Sequence, residues 1–164
     1  MVKIKKKLAI SCVLLLIWCG VIFYMSAMES IESNSKSRSV IGEAIEKVSN
    51  FANDIGLTNK ELTEVEVQNL VDKLNYPLRK VAHFTEYFIL TLLLIIVLYG
   101  YGVKGKKVFI MSLLICFIYA FTDEYHQVFV SGRTGQFSDV LVDTFGGVIA
   151  CGIVWVRRLI KKTP

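Results

Sequence analysis

Apolar residues gather into four long blocks along the 164-residue chain, with polar residues concentrated between them. The first block, residues 8–28, holds no charged side chain. About 20 apolar residues cross a bilayer core of roughly 30 Å as one helix. The blocks therefore predict transmembrane helices near 8–28, 81–103, 107–127 and 139–157. Between the first two lies a polar segment, 29–79, with its own periodicity. Val40, Ile41, Ala44, Ile45, Val48, Phe51, Ala52 and Ile55 recur on one helical face, opposite Glu43, Glu46, Lys47 and Asn50. Gly56 suits the end of that helix. Thr58 and Glu61 read as a capping box opening a second helix, with Leu62, Leu70, Val71 and Leu74 as its apolar stripe. Asn75-Tyr76-Pro77 is expected to close it. The expected fold class is all-α: a polytopic membrane protein with four transmembrane helices and an extracytoplasmic helical loop between the first two. The loop helices are expected to cover the bundle or lie in the outer interface, and a lid over a site is the other reading.

Composition agrees: 54% of residues are apolar and 20% charged, against roughly 45–50% and about 25% in soluble domains. The net charge of +5 gains meaning from its distribution. Eleven of the 19 basic residues form three acid-free clusters: Lys3, Lys5, Lys6, Lys7; Lys104, Lys106, Lys107; and Arg157, Arg158, Lys161, Lys162. Four spans bring all three clusters to one side. The positive-inside bias makes that side cytoplasmic, with both termini in, and argues against nucleic-acid binding. Segment 29–79, with six basic and nine acidic residues, then lies outside. Met25-Ser26-Ala27 is a poor cleavage site, so the first block is expected to be a retained helix. Cys12, Cys19, Cys116 and Cys151 all fall in apolar spans and are expected to stay unpaired.

The remaining charges carry the chemical information. At about 1.5 Å per residue, Asp123 lies about 24 Å from Lys107, Asp143 about 21 Å from Arg157, and Glu86 about 27 Å from Lys104. Three helices thus lift ionisable groups to one outer level. Arg79, His83 and Glu86 form one stripe; Tyr119, Asp123, His126 and Gln127 share a face; so do Asp139, Asp143, Gly146 and Ala150. On that last face polar and small residues coincide, so Asp143 is expected between helices. In the final loop, Ser138 is an expected N-cap with Asp139 in the first turn. Arg133 offers a planar fork for phosphate or carboxylate, or a pairing with Asp139 or Glu124.

Three runs in order resemble the VanZ-like family: Arg79-Lys80-x-x-His83-Phe84-x-Glu86-Tyr87, Asp123-Glu124-x-His126-Gln127-x-Phe129, and Gly132-Arg133-x-Gly135-x-x-x-Asp139-x-x-x-Asp143-x-x-Gly146-Gly147. Where the family usually has Pro-Gly-Arg, this chain has Ser131 before Gly132-Arg133. The resemblance implies a bacterial envelope role, since the family includes a membrane protein associated with low-level teicoplanin resistance. The candidate catalytic residues are His83, Glu86, Asp123, Glu124 and His126. The candidate ligand-binding residues are Arg79, Lys80, Gln127, Arg133, Asp139 and Asp143. One reading is a binder of a lipid-linked cell-wall precursor or a glycopeptide. Another is an enzyme acting on an outer-leaflet lipid phosphate. A third is a network that only fastens three helix tops. A small multidrug-type transporter is disfavoured, because the first block contains no acid. No resident metal or cofactor is expected, although two histidines among five acids leave a divalent ion as an alternative.

Overall fold

The computed structural model describes residues 2–28, 30–59 and 62–161. Those residues form five helices and no strand: α1 (Val2–Ala27), α2 (Ser30–Asp54), α3 (Glu64–Gly100), α4 (Lys106–Gln127) and α5 (Phe137–Ile160). Four of them, over Lys6–Ala27, Glu64–Gly100, Lys106–Gln127 and Phe137–Ile160, are long and apolar enough to cross a membrane. The molecule is a multi-pass membrane protein, and its outward faces suit lipid. Leu16 and Phe23 on α1, Ile110 and Ile118 on α4, and Phe145 and Ile153 on α5 are all exposed. A water-soluble monomer rarely tolerates so much contiguous apolar surface.

The expected break at Asn75-Tyr76-Pro77 does not occur. The second loop helix and the second span are one 37-residue helix, α3, with Pro77 inside it. Proline removes one backbone donor and crowds the preceding turn. Here both flanks are held by packing. Below Pro77, Val67 and Val71 bury against Ile41 of α2. The Ser37 hydroxyl donates to Asn75 Oδ1 at 2.6 Å, and Asn75 Nδ2 donates to Asn34 Oδ1 at 2.6 Å. Beyond it, Tyr87, Leu90 and Leu94 enter the main core. At 1.5 Å per residue α3 is about 55 Å long. A core of roughly 30 Å leaves its first turns outside, where they form a hairpin with α2.

Helix ends also shift. The capping box that opens α3 is Thr63 with Glu66, Thr63 Oγ1 accepting from the Glu66 backbone at 3.3 Å and Glu66 Oε2 from the Thr63 backbone at 3.1 Å. Thr58 therefore does not open it, and Glu61 lies outside the described residues. α2 does close as expected at Gly56, whose φ of 73° suits glycine. α5 starts one residue before Ser138, at Phe137. Its N-cap is Gln136, without a side-chain cap bond. Ser138 instead turns its hydroxyl to Gln136 Oε1 and Asp139 Oδ1.

α3 is the central column, in contact with each of the other four helices. Its closest neighbour is α5. A methyl group on Gly146 would stand 2.3 Å from the Phe84 carbonyl oxygen, and one on Gly147 would stand 2.8 Å from Thr91 Oγ1 and 2.9 Å from Cys116 Sγ. In lipid, association rests on such close packing and on interhelical hydrogen bonds. α1 supplies the latter: Trp18 Nε1 donates to the Glu86 carbonyl at 2.9 Å, and the Cys19 carbonyl accepts from the Tyr119 hydroxyl at 2.8 Å. All four cysteines are free.

Gly146→Ala is expected to cost about 1–3 kcal/mol by overpacking the α3–α5 contact. Gly20→Ala, whose added methyl meets nothing within 4 Å, is expected to be neutral or slightly stabilising. Thermal unfolding of the two detergent-solubilised variants checks this, and equal melting temperatures would refute the contact's role.

Candidate functional site

Where α1 ends, α3 leaves the hairpin and the α4–α5 loop crosses over, the chain encloses a cavity of about 390 Å³. α3 contributes Arg79, His83 and Glu86, the stripe read from sequence. α4 contributes Asp123, and the loop contributes Arg133. Ile22, Met25 and Leu78 make apolar wall.

Arg133 is the best-anchored cation. Its Nε donates to the Met28 carbonyl at 3.0 Å, its Nη2 to the Met25 carbonyl at 3.2 Å, and its Nη1 to Gln127 Oε1 at 3.1 Å. The last carbonyls of a helix lack intrahelical donors, so Arg133 caps α1 and pins it to the loop. It pairs with neither Asp139 nor Glu124, the carboxylates expected from sequence; Lys80 takes Asp139 instead. Burial, then neighbouring Arg79, pull the Arg133 guanidinium below its ordinary pKa, while Asp123, Glu124 and Glu86 oppose them. Gly132 turns the loop with φ of 71°. Gly135 lets it lie on α4, where a methyl group would meet the Glu124 carbonyl oxygen at 2.5 Å.

Gln127 ties these parts together. Its amide nitrogen donates to Asp123 Oδ2 and Glu124 Oε1, both at 3.3 Å, while its oxygen receives Arg133. Glu124 Oε2 also accepts from the Gln136 backbone at 2.9 Å. Gln127 and Glu124 are thus engaged in holding the loop. Asp123 is 5% exposed and lines the cavity, and Gln127 is its one partner at good hydrogen-bond geometry. Ser26 on the same wall and Tyr87 behind it bring their hydroxyls close to that carboxylate. Arg79 has neither an ion pair nor a side-chain hydrogen bond among the described residues. His83 Nδ1 stands 3.8 Å from Glu86 Oε2.

A second, smaller cavity of about 210 Å³ adjoins the first and shares Arg79, His83 and Arg133 with it. The Lys80–Asp139 pair lies there, with Lys80 also 5.3 Å from the Tyr76 ring centre. Two predicted residues stand apart. His126 turns toward α1, its ring 4.7 Å from that of Phe23. Asp143 is fully buried between helices, as its small-residue face implied, with neither carboxylate oxygen bonded.

α2, for which a lid over a site was one of the two expectations, adds Lys36 and Ser37 beside Val40 and Ile41, residues that the sequence reading did not name as part of the site. The signal was present, since these positions continue the α2 apolar face by one turn. Among the described residues no three His, Cys, Asp or Glu side chains converge as a metal-ligand set. The arrangement offers one unengaged guanidinium and one anchored guanidinium for an anion, with a histidine–carboxylate pair able to move a proton.

A family model described as VanZ/LLP1 matches residues 11–159, nearly the whole chain, and the chain belongs to that family. No curated protein and no solved structure matches it.

Arg133→Lys keeps the charge and loses the fork. It is expected to lower stability by about 2 kcal/mol, since several charge-assisted bonds are lost. A thermal melt that matches the parent protein would contradict this clamp.

Proposed function

We propose that this VanZ/LLP1 family member holds the phosphate-bearing headgroup of a lipid-linked envelope intermediate in the larger cavity. The observation that carries the reading is Arg79, an unengaged guanidinium in a cavity that anchored Arg133 also lines, above an apolar wall. Arginine recognises phosphate through paired N–H donors. The exposed side chains of Met25, Val40 and Leu78 at the same cavity give the hydrocarbon chain an apolar way out. The basic clusters support an orientation with both termini in the cytoplasm of a bacterial cell, which sets the cavity at the outer face. Glycopeptides such as teicoplanin act there on lipid-linked precursors. Holding or altering such a lipid would account for protection of the kind linked to the family. The antibiotic itself fits less well, because a sugar-bearing multi-ring peptide exceeds a cavity of about 390 Å³.

A second reading, hydrolysis of that lipid phosphate, is favoured by one observation: the His83–Glu86 pair faces the same cavity as Arg79. There His83 would serve as acid, base or nucleophile, and Glu86 would orient it. Neither reading calls for a metal.

Purified protein in neutral-lipid nanodiscs, titrated with undecaprenyl phosphate and diphosphate, tests both readings. Arg79→Ala is expected to weaken binding about tenfold or more, the scale of a lost charge-assisted bond. Chelator treatment should leave binding unchanged. His83→Gln should retain binding; if the parent protein releases phosphate, that variant should not. Equal affinity for an uncharged polyprenol, or undiminished binding by Arg79→Ala, would overturn the assignment.

A further inference from the structure

At the opposite end of the bundle lies a second built site. The end of α3, the α3–α4 loop and the end of α5 enclose a cavity of about 680 Å³. Lys104, Lys106, Arg158 and Lys161 line it, and no acidic side chain does so among the described residues. None of the four cations has an ion pair among those residues. Arg158 is held in place by aromatic faces, with its guanidinium carbon 4.1 Å from the Tyr99 ring centre and 5.7 Å from that of Phe109. The Tyr99 hydroxyl is buried without a hydrogen-bond partner, and Tyr99 lines the cavity. α4 begins at this cavity: its N-cap, Gly105, makes no side-chain cap bond, and its first turn carries no acid. The first backbone N–H groups of a helix favour an anion.

Membrane topology explains why cations collect on this side, but not why four of them surround one cavity. The cavity floor is apolar, made by Tyr99, Val103, Trp155 and Leu159. Beyond it the same face of α5 continues apolar and exposed at Val148, two turns from Trp155. A ligand that suits these features carries a negative headgroup and a hydrocarbon chain. The lack of acids at the rim disfavours a headgroup bearing a compensating ammonium. α4 spans 22 residues, so this cavity lies about 30 Å from the outer one and is independent of it.

We propose that this cavity binds the phosphodiester headgroup of an anionic phospholipid from the leaflet on the side of the termini. Basic pockets between membrane helices suit such headgroups, and each basic residue near the surface contributes about fivefold in affinity.

The test is retention of phosphatidylglycerol by the full-length protein in phosphatidylcholine nanodiscs, read by native mass spectrometry after release. Lys104→Gln with Arg158→Gln is expected to lower retention about 25-fold, from the same per-residue contribution. Lys7→Gln with Arg157→Gln removes as much charge from the same face outside the cavity and should retain the lipid. Lys106→Gln, at an exposed position, serves if the first pair destabilises the fold, with an expected loss of about fivefold. Equal loss in the Lys7/Arg157 pair would reduce the effect to surface charge and overturn the site, as would full retention by the cavity variants. A separate arm follows Trp155 fluorescence in a Trp18→Phe background. Phosphatidylglycerol should shift it, whereas inorganic phosphate and glycerol phosphate should not. A saturating response to the soluble phosphates without one to the lipid would overturn the lipid as the source.

Discussion

The backbone of α5 lies against the backbone of α3 at Gly146, so close that a methyl group would stand 2.3 Å from the Phe84 carbonyl oxygen. Much of the half of the molecule that lies away from the termini follows from that approach. Phe84 adjoins His83, and Glu86 is two residues on, so the contact fixes the helix that carries the polar stripe. The same face of α5 carries Asp143 into the interior and brings Asp139 up to Lys80. Lipid offers the helices no hydrophobic gain on meeting. A close contact between small residues, with hydrogen bonds from Trp18 and Tyr119 on the far side, is what keeps so many ionisable groups at one level.

Arg133 then divides the polar cluster into structural and available parts. By capping the end of α1 and engaging Gln127, it places the final loop over the cavity. Gln127 and Glu124 hold that loop in turn. Arg79, His83, Glu86 and Asp123 line the cavity. Arg133 apart, the residues that fasten the loop are therefore different from those that face the cavity. The two ends of the bundle contrast in the same way: the cavity at Arg79 mixes cations with acids, whereas the one at Arg158 is lined by cations without acids among the described residues.

The sequence made legible whatever depends on period and on charge position. The four spans, the stripe of Arg79, His83 and Glu86, and the burial of Asp143 on a small-residue face all follow from helical phase. The continuity of α3 was hidden because proline is a local signal, while the packing of Val71 on Ile41 and the bonding of Asn75 to Asn34 and Ser37 are long-range. The partner of Arg133 was hidden for a related reason: backbone carbonyls at the end of α1 leave no mark in a list of acidic side chains. Thr63 displaced Thr58 as the cap because both begin a Thr-x-x-Glu pattern, and spacing alone does not choose between them.

The central claim is that the cavity lined by Arg79 and Arg133 holds a lipid phosphate at Arg79. The most direct measurement is a cryo-electron-microscopy map of the protein in nanodiscs loaded with undecaprenyl diphosphate. The account predicts headgroup density within hydrogen-bonding distance of the Arg79 guanidinium, with the chain leaving past Met25 and Leu78. An unoccupied cavity at Arg79, with the lipid lying only along the apolar exposed face of α5, would contradict it.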